Sequence, residues 1–269
     1  MSRTLHIRPR YYRWFVEPGV EWIETNTGYA HLDWEIPIEQ CGLVLVDVWD
    51  GHYLKETDAR SEQIIQANIR PLLSACRKSG LQLIHAPSPD QAKPHPAWVG
   101  PIQDTSPPHR PKRDWPPTAF RRKSGDYEHF AKPTELRQSE IDRLRADRQI
   151  HPDVQPEGPD VVIATGAELH RYCHERQILF LFYLGFNTNA CILLRDYGTL
   201  EMSKRGYEII IIRDCTTGME SFETHDALWQ TRGSVLFLEM FGKYSITSAK
   251  FIAGFPSKIS TRDEACSEN

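Results

Sequence analysis

The sequence lacks the marks of several protein classes. No apolar run approaches the ~18 residues that a membrane-spanning helix needs. Neither sign of charge dominates: 32 Lys and Arg stand against 36 Asp and Glu, a net charge of -4. That balance excludes a basic footprint for nucleic acid or an anionic membrane. The stretch from Met1 to Trp14 alternates Arg with aromatics and has no apolar core of the signal-peptide kind. No Cys-x-x-Cys pair occurs among the six cysteines, and 269 residues build a core without staples. No internal repeat is present either. The expectation is an intracellular, cytoplasmic protein that binds neither nucleic acid nor membrane.

What is there is a run of alternating elements. Leu43 to Val46 is a continuous apolar stretch, as in a strand buried on both faces. Ile64, Ile65, Ile69, Leu72, Leu73 and Cys76 keep helical spacing over 59–79, and Gly80 is a stop signal. Leu81 to His85 reads as a second strand, Val161 to Ile163 as a short one, and Ala167 to Glu175 as a helix. Ile178 to Leu184 reads as a strand, Ala190 to Lys204 as a helix ended by Gly206, and Tyr207 to Ile212 as a strand closed by Arg213 and Asp214. A helix is expected from about His225 and a last strand over Tyr244 to Phe251. Such alternation is an α/β domain with a mainly parallel sheet. Residues 1–38 look like an N-terminal arm, 39–255 like the domain with a Pro-rich insertion near 86–160, and 256–269 like a polar tail.

Parallel sheets carry their functional groups at the carboxyl ends of the strands. Asp47 directly follows Leu43–Val46, and Cys191 opens the helix after Ile178–Leu184. A helix start offers free N–H groups and a positive dipole end, which lower a thiol pKa and hold an oxyanion. An aspartate at a neighbouring strand end supplies a base. The ordinary alternatives are a turn residue for Asp47 and a packing thiol for Cys191. Buried small hydrophobes describe Cys41, Cys76 and Cys173.

The block Gly185-Phe186-Asn187-Thr188-Asn189-Ala190-Cys191, with Gly206-Tyr207-Glu208-Ile209-Ile210-Ile211-Ile212-Arg213-Asp214 after it, resembles the nucleophile block of isochorismatase-like cysteine hydrolases. Leu43-Val44-Leu45-Val46-Asp47-Val48 is similar to that superfamily's first strand with its aspartate. The superfamily includes nicotinamidases, carbamoylsarcosine and ureidoacrylate amidohydrolases, and biuret hydrolases. The resemblance covers residues 40–253, strongly at 178–220 and weakly across 86–160. It implies a three-layer α/β/α sandwich around a six-stranded, mostly parallel sheet, a homo-oligomer (dimer or tetramer), and no cofactor. It also implies an Asp–Lys–Cys triad in which Cys191 attacks a carbonyl and Asp47 carries the proton. A cis peptide at Phe186–Asn187 would set the N–H of Asn187 beside that of Cys191 as an oxyanion hole.

Two registers for the lysine stay open. In the preferred one Lys123 begins a Lys…Phe130…Thr134-x-Leu136 pattern, with 137–160 as an insertion. In the other, Val161–Ile163 is the third strand and Ala164 stands where the lysine belongs. A metal is not expected, because His85, Asp90 and His95 lack the Asp-x-His spacing of the nicotinamidases. Trp49, His52 and His85 are the candidate substrate-binding residues, with packing as the plain alternative for Trp49 and His85. The expected reaction is hydrolysis of an amide, ureido or carbamoyl C–N bond through an acyl-enzyme on Cys191. The alternatives are a vinyl-ether hydrolase, which does not need the cysteine, and a binding or assembly protein on the same fold.

Overall fold

The computed structural model describes residues 3–101 and 115–256. Cys266 and the tail from 257 lie outside the described residues, as does 102–114 of the Pro-rich stretch. Contacts divide the chain into two compact units, Met1–Gly100 with Gln149–Asn269, and Pro101–Arg148.

In the larger unit, four strands come from the arm: β1 (Thr4–Ile7), β2 (Arg10–Arg13), β3 (Gly28–His31) and β4 (Trp34–Pro37). Six follow: β5 (Cys41–Val46), β6 (Gln82–Ala86), β7 (Val161–Val162), β8 (Phe180–Phe186), β9 (Glu208–Thr217) and β10 (Tyr244–Ile246). The main sheet has the order β3-β2-β10-β9-β8-β5-β6-β7. The six strands from β10 to β7 are all parallel to their neighbours, which is the expected sheet. β2 and β3 extend it antiparallel, so the sheet has eight strands rather than six. β1 and β4 pair separately.

The central strands are apolar throughout because both faces are covered. Leu43, Leu45, Phe182, Leu184, Ile210 and Ile212 join one core with Leu72, Leu73, Cys76 and Phe251. Their alternates Val44, Val46, Leu181, Tyr183, Ile209 and Ile211 join the other, with Leu169, Tyr172, Met202 and Leu238. That is the three-layer arrangement.

Several boundaries differ from the sequence reading, each for a local reason. The first helix runs over Lys55–Ile64, loosens to a π turn at Ile65–Ile69 and resumes at Arg70–Ser79. Pro71, which has no N–H to donate, stands just after the wide turn. β9 continues past Asp214 to Thr217, and β10 stops at Ile246 before a helix, Ser248–Ala253. The last large helix begins at Trp229. The expected helix 190–204 is two pieces, Cys191–Leu194 and Thr199–Lys204.

The smaller unit holds short helices at Thr118–Arg122 and Gln138–Asp147 with a 3-10 turn at Gly125–Phe130. None of its described residues is buried.

Candidate functional site

The site is set by where β5 and β8 end. They are neighbours in register, Val46 opposite Gly185. Gly185 has φ +115, and a Cβ there would sit 2.0 Å from the Val46 carbonyl oxygen, so only glycine lets the strands close here. Asp47 follows β5 in the left-handed region, φ 48, with its N–H on the Ala86 carbonyl at 3.2 Å. It is 1% exposed. A non-glycine residue in that conformation is held there by its surroundings. After β8 the Phe186–Asn187 peptide is cis, as the resemblance implies. Thr188 is pinned by its N–H to the Thr217 carbonyl and its hydroxyl to Thr216. Cys191 then opens the four-residue helix, partly buried. Among the described residues, no acceptor takes the N–H of Asn187 or of Cys191.

The break after Leu194 delivers a residue that the sequence reading left out. Arg195 leaves the helix in extended conformation, ψ 156. Its Nη2 donates to Asp47 Oδ2 at 3.3 Å and to Ser88 Oγ at 2.7 Å. Ser88 Oγ lies 3.4 Å from Asp47 Oδ1. The break is locked from below. Asp196 accepts the Gly166 N–H at 2.9 Å, Tyr197 is fully buried with its hydroxyl on the Pro87 carbonyl, and Thr199 bonds the Ile192 carbonyl. Gly166 has no room for a Cβ, which would sit 1.9 Å from the Asp196 carbonyl.

The thiol is pushed up to about 11, by burial first and then by Asp47, whose carboxylate accepts its hydrogen bond. Arg195 acts in the opposite direction, by charge and by hydrogen bond. The expectation of a thiol lowered by a helix start is therefore corrected. A single helical turn gives little dipole, and desolvation beside a carboxylate outweighs it. At rest Cys191 is a protonated thiol aimed at a base.

The other candidates fall as follows. Lys123 belongs to the smaller unit, in the left-handed position that ends Thr118–Arg122, with Nζ 3.5 Å over the Phe120 ring. Val161–Val162 is the strand beside β6, and Ala164, fully buried, lies two residues beyond it. His52 lies on the loop after Asp47, its Nε2 3.5 Å from the Asn187 amide and its ring stacked on Tyr53. Trp49 is 8% exposed, on a segment bridged to Ile150. His85 takes its plain alternative: it is buried, with Nε2 3.5 Å from Asp160 Oδ2, and Arg77 holds that carboxylate. That distance is long for a hydrogen bond, and burial keeps the ring neutral. His95 Nδ1 accepts the Ala97 N–H. Among the described residues no group of three His, Cys, Asp or Glu is arranged to hold a metal.

Arg195 and Ser88 are the site residues that the sequence reading missed. The signal for Arg195 was a charge four residues after the cysteine, ending the apolar run Cys191-Ile-Leu-Leu194 and followed by Gly198. Ser88 sits between Pro87 and Pro89, and nothing in that triplet marks it as functional.

The Isochorismatase domain family model matches residues 41–239. No curated protein matches the sequence. Among solved structures, the fold is similar to a cysteine hydrolase from Pseudomonas syringae pv. phaseolicola, with TM-score 0.53 and 16% identity over 82% of this chain and 94% of that one. An isochorismatase from Pseudomonas putida has TM-score 0.48 and 16% identity over 79% and 90%. N-carbamoylsarcosine amidase from Thermoplasma acidophilum has TM-score 0.41 and 14% identity over 78% and 96%. In the described residues no helix is long and apolar enough to cross a membrane.

Proposed function

The chain belongs to the isochorismatase family of hydrolases, and from that premise we propose that it cleaves a C–N bond in a small amide or ureido compound through an acyl-enzyme on Cys191. The observation that carries this reading is a buried carboxylate, Asp47, bonded to the guanidinium of Arg195, with both groups acting on the Cys191 thiol in opposite directions. In the first step the Cys191 sulfur attacks the carbonyl carbon while its proton passes to Asp47. The oxygen becomes an oxyanion, held by the N–H groups of Asn187 and Cys191. Asp47 returns the proton to the departing nitrogen, which leaves as ammonia or an amine. Water then gives a proton to Asp47 and its oxygen to the thioester, and the carboxylic acid and the thiol are released.

Arg195 takes the place that the family gives to lysine. As the proton moves, one negative charge passes from Asp47 to the sulfur and on to the oxyanion, and a cation beside the first two steadies it in a buried spot. The guanidinium reaches both and does not titrate, so it steadies charge without carrying protons, and proton transfer falls to Asp47 alone. The reading is tested by ammonia release from a set of primary amides and ureido compounds, with intact-mass analysis in a single turnover. The wild type is expected to show a transient adduct on Cys191, and Cys191→Ala to release nothing. Activity of the Ala variant above a few per cent of wild type would end the covalent mechanism.

A further inference from the structure

The Asn187 side chain is a buried polar group that the mechanism leaves unused. The residue is 9% exposed. One end of its amide, placed as Oδ1, has no hydrogen-bond partner. The other end, placed as Nδ2, lies 3.5 Å from His52 Nε2. The tautomer of His52 decides which end is which. Leu54 N–H donates to His52 Nδ1 at 3.0 Å, so Nδ1 bears the lone pair. The neutral ring then carries its proton on Nε2. A ring N–H facing an amide NH2 is donor against donor. The amide is therefore turned over, with Oδ1 accepting from His52 Nε2–H and the NH2 in the place that has no partner. This exchange swaps two atoms of nearly equal size and moves nothing else.

A buried NH2 without an acceptor is a penalty, and folded proteins rarely retain one unless something outside the fold supplies the acceptor. Its place says what that is. Asn187 directly follows β8 as Asp47 directly follows β5, and the two strands are neighbours. His52 sits five residues beyond Asp47, and Cys191 four beyond Asn187. The His52–Asn187 contact thus ties together the two loops that carry the base and the nucleophile.

We infer that the Asn187 side chain is a specificity group that donates to a substrate oxygen other than the one being attacked. The substrate class is a small amide with a second carbonyl or carboxylate oxygen close to the scissile carbonyl. The inference rests on Cys191 as the centre of the site, but not on turnover there. A site built to pair a substrate's polar group rejects an analogue that lacks it far more strongly than a site that only fits its shape.

The test is protection of Cys191 from iodoacetamide by malonamide, which has a second carbonyl, and by butanamide, which does not. In the wild type, malonamide is expected to protect at a concentration at least ~10-fold lower than butanamide. Asn187→Asp still accepts from His52 but loses both donors, and Asn187→Ala removes the group; in both, the ratio falls to near unity. Thermal midpoints confirm that the variants fold, and the isosteric Asp variant keeps the test open if the Ala variant does not. Equal protection by the two probes in the wild type, or an unchanged ratio in a folded variant, overturns the inference. Discrimination without ammonia release from any amide would sink the hydrolase reading and leave this one standing.

Discussion

Arg195 carries a charge that no working pH removes; its Nη2 donates to an acid and a hydroxyl, and its charge favours the thiolate of Cys191. Arg195→Ala leaves Asp47 and the developing thiolate with no shared cation. It is expected to lower kcat by ~10²-fold or more, the scale of removing a charge-stabilising group. Arg195→Lys keeps the charge on a stem of different length, which does not place its nitrogen where Nη2 meets both Asp47 and Ser88, so it should recover only part of the loss. Lys123→Ala, in a unit whose described residues are all at least partly exposed, should leave kcat within about twofold. Steady-state kinetics on any turned-over amide checks all three. Loss in the Lys123 variant with an intact Arg195 variant would return the role to the lysine.

At the scale of elements, the double-buried strands were legible because burial on both faces demands unbroken apolar runs, as in Leu43–Val46 and Leu181–Leu184. The ends of those strands were legible for the same reason, and they placed Asp47 and Cys191. The break at Arg195 was not. Ile192, Leu200 and Met202 keep a pattern that suits one continuous helix, and the interruption comes from distant partners, Gly166 and Pro87. Tertiary contact overrode local pattern there. Gly185 tests how tightly the two strand ends are joined. Gly185→Ala forces a Cβ against the Val46 carbonyl at a φ that alanine resists, and should cost ~3 kcal/mol or more in urea unfolding. A cost below ~1 kcal/mol would mean that β5 and β8 have room to part.

Across the whole molecule, the arm lies ahead of the matched family region, yet it is built into the sheet. Its four-residue strands, Arg10–Arg13 and Gly28–His31, are too short and too exposed to show a period, so the sequence did not reveal them. Arg10 pairs at 2.7 Å with Glu239, whose side chain is fully buried and also bonded by Ser245. Arg10→Ala strands that carboxylate and should cost ~3–5 kcal/mol in denaturant. A negligible change would show the arm to be loosely attached. The cysteines give the molecule an alkaline weakness. Burial raises Cys41 and Cys173 to about 12 and Cys191 to about 11, against an ordinary 9.0. Above pH 9 the unfolded chain loses these protons first, so the folded state binds more of them, and stability falls as pH rises through that window. Melting midpoints should therefore decline steadily from pH 9 to 11 and be flat just below. A midpoint that rose over that range would contradict these thiol environments.

One thiol shares its site with one carboxylate and one guanidinium, and the pH dependence of Cys191 alkylation reads that arrangement directly. Wild-type protein should react with a midpoint near 11. Asp47→Asn removes the carboxylate that raises the thiol and should shift the curve to lower pH. Arg195→Ala removes the cation that lowers it and should shift the curve to higher pH, while Lys123→Ala superimposes on wild type. Curves for the Asp47 and Arg195 variants that coincide with wild type, or a shift in the Lys123 variant alone, would contradict it.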